Sequence, residues 1–195
     1  KKWSDKIRHV IIQDRFESEN TWQTEYRDRN QIGVGLFDAE PEDLIFVSDC
    51  DEIWDPEKKL FLVDQNFSIR YMATLSYYFL NLRRVNFSSG RCTARTHFRN
   101  FKDAQSLRSN QNCIKLENSS WHFSYIADAD RIIKKIQAFS HTEYNTPYFT
   151  DKDRIIEKIK EGKDLLDRDA VYKAVPVDHT FPKPIQENPD RWKNF

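Results

Sequence analysis

The stretch Asp43-Leu44-Ile45-Phe46-Val47-Ser48-Asp49-Cys50-Asp51-Glu52-Ile53 decides how the rest of the chain is read. Leu44 to Val47 is a short apolar run, and Ile, Phe and Val within it predict a strand buried on both faces. Three carboxylates follow at once, where that strand emerges at its carboxyl end. In open α/β sheets that edge is where ligands bind. Asp49 and Asp51 are two residues apart, so an extended chain points both the same way. A gentle turn there lets both reach one hard divalent cation, which prefers oxygen ligands. The competing reading of the spacing alone is a solvated acidic loop after a strand, a common feature of α/β proteins.

Outward from this stretch, residues 6–13 predict a strand with Val10, Ile11 and Ile12 as its buried core. Asp14-Arg15-Phe16 leaves it as a polar loop. Asn20 or Thr21 caps a helix that begins at Trp22 and runs to about Val34, with Glu25 and Arg29 facing each other four residues apart. On the other side, Asp55-Pro56-Glu57 opens a second helix, with Leu60, Phe61, Val63 and Phe67 as its apolar face. Residues 69–82 are dense in aromatic and β-branched side chains and read as one or two strands; 92–101 read as another. Residues 102–112 are polar and read as loop. Trp121 to Tyr125 reads as a short strand. A helix capped by Asp128 or Asp130 follows, with Ile132, Ile133, Ile136 and Phe139 at helical spacing. Another runs from Asp151 through Ile155, Ile156 and Ile159 to near Gly162. The last strand-like piece is 171–175, before a proline-rich tail. Strand and helix alternate in the first half, which predicts an α/β fold with a largely parallel sheet. No composition shift or repeat divides the chain, so residues 1–195 read as one domain.

Composition narrows the function. The 195 residues suffice for one domain with a real core, and the charges balance at 31 basic against 31 acidic. Such a chain does not advertise nucleic acid or an anionic membrane as partner. No apolar run is long enough to cross a bilayer. Five Trp and eight Tyr suit stacking on sugars or bases, although aromatics more often fill a core. Cys50, Cys92 and Cys113 have no zinc-like spacing; reduced thiols are the simpler reading, with a Cys92–Cys113 disulfide as the alternative. With neither an anchor nor a disulfide framework, the chain reads as cytoplasmic.

Several blocks together resemble glycosyltransferase family 17. Ser48-Asp49-Cys50-Asp51-Glu52-Ile53 looks like the family's Ser-Asp-Val-Asp-Glu-Ile signature. Trp22, Glu25 and Arg29 before Gly35-Leu36 match its preceding helix. Trp121-His122-Phe123-Ser124-Tyr125 and Lys135-Ile136-Gln137-Ala138-Phe139-Ser140-His141-Thr142-Glu143-Tyr144 match two later blocks, and 179–195 resemble its closing segment. Cys50 stands where Val is common and Trp54 where Pro is usual; neither removes a carboxylate. The family's strand-helix unit ahead of residue 6 is not found in this sequence, so the expected GT-A-like sheet is incomplete at its N-terminus.

The resemblance implies an inverting, metal-dependent transferase that moves a sugar, N-acetylglucosamine first, from a UDP-sugar donor to a glycan acceptor. Mn²⁺ or Mg²⁺ is the implied cofactor. Asp51 is the first choice as metal ligand and Asp49 the second, with His141 the candidate third ligand and His122 its rival. Asp49, Asp51, Arg29, Lys135 and Trp121 are the expected donor contacts. Inversion needs a base for the acceptor hydroxyl; Glu143 is the leading candidate, followed by Asp128 and Asp130. A non-catalytic carbohydrate- or nucleotide-binding module of the same fold is the alternative. A metal phosphoesterase would need a second cluster of ligands that the sequence does not display. A Golgi location is the alternative implied by the family's animal members.

Overall fold

In the computed structural model, which describes residues 2–13, 20–58, 67–85 and 92–192, the chain is organised around two long parallel strands. These are β3 (Ser68–Tyr77) and β6 (Cys113–Ser124), paired from Ser68 with Cys113 to Tyr77 with Ser124. The register shifts between Tyr71 and Ala73, where Asn118 of β6 takes a left-handed conformation with φ of 49°. On the outer side of β6 lies β2 (Glu52–Trp54), antiparallel to it. The other edge of β3 is shared. Its first residues pair with β5 (Ala94–His97), which carries β1 (Leu44–Val47). Its last residues pair with β4 (Leu82–Arg84), which carries β7 (Tyr172–Ala174).

Strands and helices share one sheet-based fold, so the α/β expectation stands, but the largely parallel sheet does not. Among the described strands five of six pairings are antiparallel. A parallel neighbour needs a long crossover, and the connection from β3 to β6 is where this chain makes one. The strand ahead of the acidic loop also differs from expectation. β1 is the outermost described strand on its side and buries Ile45 and Val47 while Leu44 and Phe46 stay half-buried. It covers one core rather than being enclosed by two.

Two cores flank the site. The larger gathers Tyr77, Tyr78, Tyr125, Ile132, Ile136, Ile155 and Leu165 between the end of the sheet and two helices. Helix α3 (Ala129–Ala138) is capped by Asp128, whose carboxylate accepts from the Arg131 amide at 2.9 Å; α4 (Lys152–Glu161) is capped by Asp151 and ends at Gly162, which takes the left-handed φ of 63°. The smaller core packs Ile45, Val47 and Ala94 against Ala104 and Leu107 of α2 (Ala104–Ser109). This helix lies in the segment expected to be loop; Asp103 caps it through the Ser106 amide at 2.7 Å.

The remaining elements are smaller. Helix α1 (Thr21–Asn30) follows its Asn20 cap and continues as a tighter 3₁₀ turn over Gln31–Leu36. Residues 7–13 are not a strand: they pair with none of the described strands, and Ile7 and Ile11 are 70% and 69% exposed. The segment is tethered by Arg8, which grips Asp38 at 2.7 Å and stacks on Phe37. Asp55 to Glu57 form a turn after β2 rather than the start of a helix. The expected apolar face at Leu60, Phe61 and Val63, and the Asp14–Phe16 loop, lie outside the described residues. Near the C-terminus, α5 (Lys183–Glu187) docks Ile185 beside Phe181 and Leu80.

Candidate active site

The acidic loop falls between β1 and β2, and its shape is set by a small set of ties. The Glu52 amide donates to the Asp49 carbonyl at 3.0 Å, and the Asp49 amide donates back to the Glu52 carboxylate at 3.1 Å. The turn this makes separates the two aspartates instead of aiming both one way. Asp49 faces α2 and α1: Arg108 donates to its Oδ2 at 2.8 Å and Arg29 approaches its Oδ1 at 3.4 Å. Arg108 also grips both oxygens of Glu52, and these two side chains are only 4% and 2% exposed. A buried pair of this kind holds geometry because either partner alone is an uncompensated charge.

Asp51 faces the opposite way, toward α3 and β6. Lys135 donates to its Oδ2 at 2.9 Å, and His122 Nε2 lies 3.5 Å from its Oδ1. Lys135 also sits over the Tyr125 ring, 4.9 Å from the centroid. That ring follows β6 in the left-handed region, with φ of 56°, a conformation costly for a bulky residue and here enforced by the large core. Burial works against ionisation of Asp51, but the hydrogen bond and charge of His122, with Lys135 adding to both, outweigh it. The carboxyl is held well below the usual carboxylate range.

These groups line one open cleft of about 1000 Å³. Its walls come from α1 (Trp22, Glu25, Asp28, Arg29), the acidic loop (48–52), α2 (Gln105, Arg108), β6 (His122, Ser124) and the end of α3 with its following turn (Lys135, Phe139, Ser140, His141). Helix α1 is tied to the far wall by the Thr21 hydroxyl, which donates to the Ser140 carbonyl at 2.8 Å. It is tied to α2 by Arg29, which donates to Gln105 at 2.6 Å and is steadied within α1 by Glu25 at 2.8 Å. The His141 ring packs edge-on against Trp22 with centroids 4.7 Å apart, and its Nδ1 lies 2.7 Å from Glu143 Oε1. Cys50 lies exposed in the middle of the loop, and none of the three cysteines forms a disulfide.

Six of the expected residues therefore meet in the cleft: Asp49, Asp51, Arg29, Lys135, His122 and His141. The others do not. Glu143 stands behind His141 rather than on the cleft wall. Asp128 is spent on capping α3, and Asp130 pairs with Lys152 at 2.8 Å. Trp121 points to the opposite face of β6 from His122, as neighbours on a strand must, and lines other pockets. Arg108 was missed because its segment read as loop. The spacing of Asp103, Ala104 and Leu107 is the signal that carries the short helix.

A divalent cation can be tested against this donor set. Among the described residues no three His, Cys, Asp or Glu side chains gather in a closed cage. An open site is another matter. Asp51 Oδ1 and His122 Nε2, 3.5 Å apart, are spaced as two neighbouring ligands on one ion. Mg²⁺-type ions take one or two carboxylates and complete their shell with substrate phosphates and water. Asp51 is a ligand of the type such an ion takes, and His122 is the neighbour that would join it.

Residues 1–187, nearly the whole chain, match glycosyltransferase family 17. The chain belongs to this family, and its activity class is glycosyl transfer between a sugar donor and an acceptor. Comparison with curated proteins and with solved structures returns no match. Among the described residues no helix is long and apolar enough to cross a membrane.

Proposed function

We propose that the acidic cleft transfers a sugar, N-acetylglucosamine in the first instance, from a UDP-sugar to a hydroxyl of a glycan acceptor with inversion. The observation that carries this reading is the convergence of a carboxylate held ionised, two basic side chains and a carboxylate-oriented histidine in one cleft. Asp51 and His122 would hold Mn²⁺ or Mg²⁺, which supplies positive charge against the diphosphate leaving group. Lys135 and Arg29 add fixed positive charge on either side of the loop, where the departing UDP gathers its negative charge.

His141 is the base in this proposal and Glu143 its positioning partner, in place of Glu143 acting alone. With Nδ1–H donated to the Glu143 carboxylate, Nε2 keeps its lone pair for the acceptor proton. The acceptor oxygen attacks the anomeric carbon as that proton moves to Nε2, and the bond from the anomeric carbon to the diphosphate oxygen breaks on the opposite face. Packing of the imidazole against Trp22 limits its freedom before substrate arrives. Release of UDP from UDP-N-acetylglucosamine in the presence of Mn²⁺ and a glycan acceptor tests the proposal. Turnover that is lost in Asp51→Asn supports it. Turnover that survives in Asp51→Asn, or UDP binding without any transfer across a panel of acceptors, overturns it.

A further inference from the structure

The same strand that offers His122 to the cleft offers Trp121 to the other face of the sheet, and that face is also concave. Two adjoining pockets of about 430 and 360 Å³ meet there, and both are lined by Trp121, Asp55 and His179. The first is walled by Ile53 and by the segment that leads into α5; the second is walled by Arg83. Trp121 is held as a fixed partition between them, because its indole N–H donates to the Thr180 carbonyl at 2.8 Å. The same Thr180 is pinned from the other side, its hydroxyl accepting from Arg83 at 2.7 Å and its carbonyl from Arg83 at 3.1 Å. Arg83 in turn stacks on Phe181, 3.8 Å from the ring centroid. The tail and the sheet thus hold one aromatic plate between two recesses. Asp55 is positioned by its own turn, its carboxylate accepting from the Glu57 amide at 2.9 Å.

We propose that this Trp121 face is a glycan-binding subsite, separate from the transfer cleft, that holds a sugar unit of the acceptor remote from the reacting hydroxyl. A pyranose ring has an apolar C–H face and a rim of hydroxyls. It fits a rigid indole flanked by a carboxylate and an imidazole, whereas a purely apolar ligand leaves Asp55 and His179 unused. The combined space is that of a small-molecule site, and the plate's fixed orientation means little ordering is lost on binding. The choice of a sugar as ligand rests on the proposed glycan acceptor; the existence of the subsite does not depend on the chemistry at Asp51.

Saturation-transfer NMR with cellobiose, mannobiose and N,N′-diacetylchitobiose, on the full chain without donor or metal, tests the inference. At least one disaccharide is expected to bind, and its signal is expected to persist in Asp51→Asn. Binding is expected to weaken at least fivefold in His179→Ala, an exposed change that spares the core, and to vanish in Trp121→Leu if that variant keeps its circular dichroism spectrum. No binding by any of the three sugars, or binding unchanged in His179→Ala and in a folded Trp121→Leu, overturns the subsite while leaving the transfer reaction standing. Binding at Trp121 with no transfer under any condition supports the subsite and removes the proposed reaction.

Discussion

Two carboxylate networks in this molecule are built from the same parts to opposite ends. Around Asp164, every acceptor site is used. Its oxygens take hydrogen bonds from Arg168 at 2.8 Å, from the Tyr172 hydroxyl at 2.7 Å and from the Leu166 amide at 2.9 Å, and the residue is buried beneath the large core. Around the acidic loop the saturation is divided. Glu52 is locked with Arg108 in the same closed manner, while the aspartates on either side of Cys50 stay open, Asp49 at 45% and Asp51 at 23% exposure, and the partners of Asp51 are ones that a ligand can replace. The closed half fixes the backbone of the loop. The open half is the part that the proposed reaction uses.

Breaking the closed half gives the largest expected effect. Arg108→Met strands Glu52 without its charged partner, and removing one member of a buried pair costs about 3–5 kcal/mol; urea or thermal unfolding measures it, and activity should fall with the fold. Asp51→Asn should reverse that pattern. The expected loss is ~10²–10³-fold in turnover, the scale for removing one preorganised electrostatic group, with a melting temperature close to that of the parent. Equal destabilisation by the two variants would erase the distinction between the halves.

Asp164→Asn comes next, at about 2–3 kcal/mol for lost charge-assisted hydrogen bonds, with turnover per folded molecule retained. It has a signature in acid. Burial opposes ionisation of Asp164, yet the Arg168 and Tyr172 hydrogen bonds hold its carboxyl below the usual range. The stability it contributes is therefore fully present above the ordinary aspartate value of about 3.9 and is lost as the pH falls from there through the lower folded value. In Asp164→Asn the unfolding free energy should depend less steeply on pH in that window. Smallest is Glu143→Gln, for which a fall of about tenfold in kcat, equivalent to about 1.4 kcal/mol, is expected with little change in KM, while His141→Ala should lose more.

The periodic segments were legible. α1, α3 and α4 lie where capping residues and 3.6-residue spacing put them, and β1 lies where four apolar residues precede the acids. What failed depended on partners. Val10, Ile11 and Ile12 have the composition of a buried strand, but strand burial needs a neighbour, and no described strand pairs with them. The direction of the sheet was lost for the same reason, because local sequence does not say which strand lies beside β3. Arg108 hid in a helix of six residues, too short for periodicity to register. Trp121 shows a different lapse. The family resemblance made it an expected donor contact, although alternation along the strand sends it to the face opposite His122.

Helix α1 supplies four residues to the wall of the cleft, yet none of its own side chains is buried. Its attachments include polar ties at its ends and an aromatic contact with His141. Elements held in this way open at a small fraction of the global unfolding free energy. Its amides should exchange with deuterium faster than those of α3, which buries Ala129, Ile132 and Ile136, and on the proposed function should slow when UDP is added. One wall of the cleft is thus hung on hydrogen bonds, and in the proposed reaction a substrate spanning both sides would add the tie that its own side chains do not.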